Sequence, residues 1–325
     1  VTTHWAIVYR ILPMDKLLIC TILVTTSACA RMENQQATTP REAFHEKYQW
    51  NAEDYFTDPK VIRLCHAIEA DDIAMIERLV ADGADINAQG KGRMTPLMWS
   101  FPGRKLGRFC RLLELGANPN VFFESDFNTK GHGFLAGESV TELAASSHFP
   151  RYFDFVMNHG GNPKLINPVT KNGLLIAMLR SGVPDVVDRI QLYAGKGGDL
   201  NQKSSDGCPA IMEAAKYFGQ FRAVLRLMDL GANPKAYWED ENKKLAHMVV
   251  TFRNEADSLS EEAKSDLTEL ERRLTNVGES LDEAAADKKR WRSWDWPSGV
   301  GRKLMAAEVA ERHSREAAAQ AKAKE

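Results

Sequence analysis

The chain has 325 residues, 44% of them hydrophobic, and its 42 Lys and Arg nearly balance 44 Asp and Glu, leaving a net charge of −2. Without a basic surplus it lacks the electrostatic footprint that nucleic acid requires, so that partner class is excluded at the level of composition. The length suits an extended repeat domain with ends of its own, its size set by repeat number and not by the limit of one globular core.

The first element is an export signal over residues 1–29. Lys16 precedes an uncharged, mostly apolar run from Leu17 to Ala28, which closes on Thr26-Ser27-Ala28-Cys29. A run of about a dozen apolar residues is too short to span a membrane, which takes about 20, and small residues before a cut site fit a cleaved signal. Met14-Asp15-Lys16-Leu17 supplies a short charged start, so Met14 is the expected translation start, downstream of His4, Tyr9, Arg10 and Pro13. The cysteine directly after Ser-Ala resembles a bacterial lipoprotein signal; the residues alone also allow a plain cleaved signal. The resemblance implies that Cys29 is the lipid attachment site and becomes the first mature residue. With Ala30 next, it also implies sorting to the outer membrane and a periplasmic location. Residues 30–55 are polar and read as a tether.

From residue 56 to about 252 the chain repeats itself. The phrase Gly-Ala-Asp/Asn begins at Gly83 and Gly116, recurs as Gly-Gly-Asn/Asp at Gly160 and Gly197, and returns at Gly231; the steps are 33, 44, 37 and 34 residues. Before each glycine runs an apolar stripe at helical spacing: Ile73, Ile76, Leu79 and Val80; Phe109, Leu112, Leu113 and Leu115; Phe153, Val156 and Met157; Val224, Leu225 and Leu227. A glycine just past the last apolar turn ends a helix in the left-handed conformation, and the Asp or Asn that follows suits a turn. One such helix pair cannot bury its own apolar face, so neighbouring pairs must stack. The stretch Gly92-Arg93-Met94-Thr95-Pro96-Leu97-Met98-Trp99, followed by Leu112-Leu113-Glu114-Leu115-Gly116-Ala117-Asn118-Pro119-Asn120, resembles an ankyrin repeat. The implied fold class is all-α, an ankyrin-repeat solenoid of five to six helix pairs with hairpin fingers and a C-terminal helical cap. The third repeat lacks Thr-Pro-Leu, and the fifth has Pro209-Ala210-Ile211-Met212 in its place.

In that register, one position of each first helix is expected to face the inner, variable surface of the array, where partners bind. Trp99, His66, Leu143 and Glu213 occupy it, and an outward tryptophan is a preferred interface anchor. Burial of Trp99 against Phe101 is the competing reading. The step from Gly116 to Gly160 carries an 11-residue excess within Val121 to Gly137, which puts Phe122, Phe123, Asp126 and Phe127 on an inserted finger. That is more apolar than an idle loop, so the finger reads as a partner contact; folding back over the irregular third repeat is the alternative. Tyr237 and Trp238 extend the same set after the fifth repeat, and the adjacent Glu239, Asp240 and Glu241 favour a partner with a basic patch.

Beyond the repeats, Lys243 to Phe252 resembles the inner helix of a degraded sixth pair. Leu267, Leu270, Leu274 and Val277 mark a long amphipathic helix closed by Gly278, within a capping and Trp-rich segment at 253–300. Trp291, Trp294 and Trp296 read as packing against the end of the stack, with a ligand pocket as the rival. Residues 301–325 read as a solvated helix or frayed tail. Cys65, Cys110 and Cys208 have no metal spacing; Cys65 reads as a buried thiol, and a Cys65–Cys110 bridge stays open. No phosphate loop, nucleophile elbow or His/Cys metal motif is present, and His66, His132, His148, His159 and His247 lack catalytic partners in sequence. The expectation is a non-enzymatic binding protein with no cofactor, no catalytic residue and no metal, monomeric when free and touching membrane only through its lipid.

Tyr55-Phe56-Thr57-Asp58-Pro59-Lys60-Val61 ahead of the first repeat, with Met94-Thr95-Pro96-Leu97-Met98-Trp99 in the next, resembles exported ankyrin-repeat lipoproteins that act as immunity proteins. Such proteins bind and neutralise type VI secretion phospholipase toxins. The resemblance implies a protein partner of that class. A periplasmic scaffold supporting another envelope protein or stress-defence enzyme, and a small-molecule binder using the Trp cluster, are the alternatives.

Overall fold

The computed structural model describes residues 44–129, 132–149, 151–216 and 220–322; the signal, Cys29 and the first part of the tether lie outside the described residues. The described residues divide into two compact bodies, one within 44–91 and Thr95–Ala117, the other within Gly92–Met94 and 118–322.

In the N-terminal body a short helix α1 (Phe44–Tyr48) and a 3-10 turn (Ala52–Asp54) lead into two helix pairs. These are α2 (Pro59–Glu69) with α3 (Ile73–Ala81), and α4 (Pro96–Ser100) with α5 (Leu106–Glu114). Asp58 and Asp72 cap α2 and α3 by accepting from Lys60 N and Met75 N, and Thr95 caps α4 by accepting from Met98 N, each satisfying an otherwise orphaned N-terminal amide. Inner helices α2 and α4 pack side by side, as do outer helices α3 and α5.

The C-terminal body continues the pattern with α6 (Val140–Ser146) and α7 (Tyr152–Asn158), α8 (Leu174–Arg180) and α9 (Val186–Gly195), and α10 (Ala210–Lys216) and α11 (Phe221–Asp229). A further pair follows, α12 (Leu245–Asn254) with α13 (Glu261–Asn276). Here α12 stacks on α10 and α13 on α11, so the segment read as a degraded inner helix and a cap is a complete sixth pair. Its outer helix buries Leu267, Leu270 and Leu274 in one stripe. Two more helices close the chain, α14 (Leu281–Arg292), packed on α12, and α15 (Val300–Lys322). α15 is a largely exposed helix held at two points: Glu308 accepts from Asn242 Nδ2, Arg290 Nε and Trp291 Nε1, and the Arg312 guanidinium sits 4.6 Å from the Tyr237 ring centroid. No helix among the described residues is long and apolar enough to cross a membrane.

The recurring glycine phrase has a double use. Gly116 has φ +94, and its successor Ala117 donates back to the Leu112 carbonyl, closing α5. The acid or amide two residues after each glycine then caps its own turn, as Asp85 does for Asn87 N and Asn118 for Asn120 N. Where the phrase has a second asparagine, it ties that phrase to the next: Asn87 donates to Gly116 O, Asn120 donates to Gly160 O and accepts from Asn162 N, and Asn201 accepts from Asn233 N, while Lys164 takes the place in the third phrase. The sequence period is therefore also a hydrogen-bonded ladder. Cys65, Cys110 and Cys208 are buried free thiols, which closes the Cys65–Cys110 alternative, and burial pushes the Cys65 thiol well up.

Candidate protein-interaction surface

In the N-terminal body the chain itself covers one of the two expected contact positions, Trp99, and leaves the other, His66, open. Trp99 is 0% exposed. It leaves α4 on the expected side, but His45 stacks on it at 5.0 Å, and Trp50, Tyr55 and Phe56 surround it at 5.6 to 6.3 Å. Its indole N–H donates to Glu69 Oε1, 2.9 Å. Thus the outward Trp99 is corrected: residues 44–56, read as part of the tether up to residue 55, fold over it because an indole in water is costly. His66 stays half-exposed beside this cover, 2.9 Å from Glu53 and 3.5 Å from Glu69. Burial alone would lower its pKa, but the two carboxylates raise it above the ordinary value.

His45 carries a consequence for pH. Its Nε2–H donates to the Trp99 carbonyl, 2.8 Å, and burial, aided by Arg108, pulls its pKa from 6.5 to about 4 despite that bond. The unfolded chain therefore binds the proton more readily between pH 4 and 6.5. The His45 contribution to the stability of the N-terminal body is complete above pH 6.5 and falls as pH drops towards 4, by about 3 kcal/mol from the linkage of pKa to folding. Urea titrations across this range should show that slope in the native chain and a flatter one in His45→Gln.

The C-terminal body carries the inserted finger. Its strands β1 (Phe127–Thr129) and β2 (His132–Phe134) pair antiparallel, Phe127 opposite Phe134. Phe123 and Phe134 are buried and stacked at 4.5 Å, which removes Phe123 from the expected contact set; Phe122 and Phe127 stay half-buried. The acids hold the finger shut. Asp126 accepts from Ala136 N at 2.8 Å and Glu138 from Leu135 N at 2.7 Å, so exposed Asp126 spends one oxygen inside the finger. Leu135, just past β2 on the finger, is 58% exposed.

The next finger offers a matching group. Asn167 accepts from Val169 N and Thr170 N and donates to Glu142, 2.9 Å, whose carboxyl burial pushes up to about 7 against that hydrogen bond. The resulting turn exposes Val169 at 61% and Ile166 at 47%. A Cβ added at Gly137, two residues from Leu135, would meet the Val169 side chain, so the two fingers lie together at this point. Leu135, Ile166 and Val169, with half-buried Phe122 and Phe127, are the exposed apolar surface of this body's fingers. The sequence signal for the three missed residues is apolar side chains set among turn formers, as in Asn167-Pro168-Val169-Thr170-Lys171-Asn172.

Two other expected contacts prove internal. Glu213 is 0% exposed and accepts from Arg180 at 2.5 Å; the same guanidinium donates to Asp206 at 3.2 Å. Its carboxylate turns inward because a cation from the preceding repeat meets it there. Trp238 (β3, Tyr237–Trp238) is buried, donates to the Asp206 carbonyl at 2.8 Å, and lies under Lys216 and Lys243, the latter in β4 (Lys243–Lys244). Cations and not the neighbouring acids thus face both finger aromatics, since Tyr237, half-buried, lies under Arg312.

Helix pairs stacked inner on inner and outer on outer, closed by left-handed glycines and joined by hairpin fingers, decide the architecture. The fold is the ankyrin repeat. Solved structures agree: the chain superposes on an ankyrin repeat domain from Acinetobacter baumannii AYE with a TM-score of 0.51, at 19% identity, covering 64% of this chain and 97% of that one. It superposes on the ankyrin repeat domain of Bcl-3, a member of the IkappaB protein family, with a TM-score of 0.50, at 17% identity, covering 67% and 86%. No protein-family model and no curated protein matches the sequence. Among the described residues of this ankyrin-repeat chain, no group of three or more His, Cys, Asp and Glu could hold a metal ion.

Proposed function

We propose that this chain is a non-enzymatic protein-interaction module of the bacterial envelope, lipid-anchored at Cys29 on the periplasmic side of the outer membrane. In this reading it binds and neutralises a phospholipase toxin delivered by type VI secretion. The observation that carries the interaction reading is the pair of adjacent fingers that hold Leu135, Ile166 and Val169 in solvent. Apolar groups fixed there by the Asp126, Glu138 and Asn167 hydrogen bonds form a pre-ordered contact patch, and pre-ordering reduces the entropy lost on binding. The signal sequence ending at Cys29 supports the location, and the resemblance to exported immunity lipoproteins supports the toxin class.

The test is capture of an exported phospholipase of the type VI secretion class by the mature protein and by a Leu135→Asp/Val169→Asp variant. Both side chains are exposed, so the variant should keep its far-UV spectrum while binding at least tenfold more weakly, as expected when anchor residues are lost. Equal capture by the two proteins would rule out this patch as the interface.

A further inference from the structure

A second surface of the C-terminal body, away from the apolar finger patch, has the chemistry of a ligand site. A groove of about 800 Å³ runs along α12 between the finger carrying Trp238 and helix α14, with Trp296 and Met305 on its far wall. Its lining includes the cations Lys216, Lys243, Lys288 and Arg292 against the acids Asp206, 3.7 Å from Lys216, and Glu241, 2.8 Å from Lys243, so the excess lies at Lys288 and Arg292. This is a local positive excess in a chain whose overall charge is −2. The cations are organised around aromatic surfaces: Lys216 Nζ lies 4.8 Å and Lys243 Nζ 5.9 Å from the Trp238 centroid, while Trp291 stacks on His247 at 5.0 Å. Trp296 is fixed by its indole N–H donating to the Trp291 carbonyl, 2.9 Å, yet remains 37% exposed. Lys288 is anchored by donating to Thr251 Oγ1. Burial, then Arg292 and the Glu241-paired Lys243, lowers its pKa against the pull of Glu255, so the Lys288 charge is partly desolvated beside another cation.

An anion entering the groove would relieve that repulsion, and the indole faces give flat apolar surface beside it. The groove is open along one side; a pocket for a small molecule encloses most of its ligand, whereas an open groove suits a chain that inserts side chains and leaves its backbone in solvent. We infer that this groove binds an acidic peptide segment, a carboxylate meeting Lys288, Lys243 and Arg292 while an apolar side chain rests on Trp296 and Met305. The inference rests on reading the chain as a module that binds protein; it adds a second contact of opposite character to the apolar finger patch.

The experiment titrates the full mature chain with a Trp-free and Tyr-free peptide, acetyl-Asp-Glu-Phe-Asp-Glu-amide, following intrinsic Trp fluorescence at low salt. Its Asn/Gln counterpart and inorganic phosphate serve as the other two probes. The inference predicts a saturable change with the acidic peptide alone, weakened at least tenfold in Lys243→Glu/Arg292→Glu and unaltered in Leu135→Asp/Val169→Asp. An equal response to the neutral peptide, saturation by phosphate alone, or retention of binding in the charge-reversed variant would overturn it. Lys288→Gln is the second variant, and it too should bind more weakly. Failure here with capture of the phospholipase intact removes this inference only; loss of capture with peptide binding intact removes only the toxin reading.

Discussion

Replacing Trp99 with alanine is expected to destabilise the N-terminal body by about 4 kcal/mol, the size typical of truncating a fully buried aromatic residue. The indole is enclosed by His45, Trp50, Tyr55 and Phe56 and donates to Glu69, so truncation leaves a cavity, an unpaired carboxylate oxygen and a loosened 44–56 segment. Urea titration should show a lower midpoint, and hydrogen exchange should show protection lost in α2 and α4. Trp99→Phe should recover part of the loss through packing but not the hydrogen bond. An interface tryptophan would behave in the opposite way, leaving the midpoint unchanged and affecting only binding.

A second large effect is expected at Arg189. This side chain is fully buried on α9, yet its charge is well placed: Nη1 donates to the carbonyls of Ala144 and Ala145 at 2.9 and 2.8 Å, and Nε lies 2.8 Å from Asp185 Oδ1. Those carbonyls belong to the last turn of α6, where no intrahelical donor remains, and a cation there also complements the helix dipole. Arg108 does the same in the N-terminal body, donating to Ile68 O at the end of α2 and to Ser100 O at the end of α4. Arg189→Leu would keep the apolar stem but orphan two carbonyls and leave Asp185 without its cation, a loss of about 3 kcal/mol, near the lower end for breaking a buried pair. Hydrogen exchange should localise the loss to α6 and α9. A change below about 1 kcal/mol would mean water replaces the guanidinium at no great cost.

The fold was legible because it is written locally. A helix stop, a turn-capping amide and an apolar stripe lie within a dozen residues of one another, so periodicity exposes them without knowledge of distant contacts. Even the sixth pair showed in the Leu267, Leu270 and Leu274 spacing, although its inner helix had lost the Thr-Pro-Leu start. The site was less legible because its residues are decided by partners far along the chain. Trp99 occupies a position that faces outward in the repeat register, but His45 and Trp50, some fifty residues earlier in a stretch of polar composition, return to cover it. Glu213 turns inward because Arg180 comes from the repeat before. Trp238 has acids beside it in sequence and Lys216 above it in space. Leu135 and Val169 were passed over for the opposite reason: a single apolar residue in a loop carries little signal until its exposure and its neighbour are seen.

The central claim is that this chain silences a phospholipase by binding it. The most direct measurement is the lipase activity of a captured type VI secretion phospholipase, assayed on phospholipid vesicles as purified mature chain is added. The proposal predicts activity falling linearly to baseline at a fixed stoichiometric ratio, with Leu135→Asp/Val169→Asp failing to inhibit at that ratio. Undiminished lipase activity in the presence of excess folded chain would contradict it.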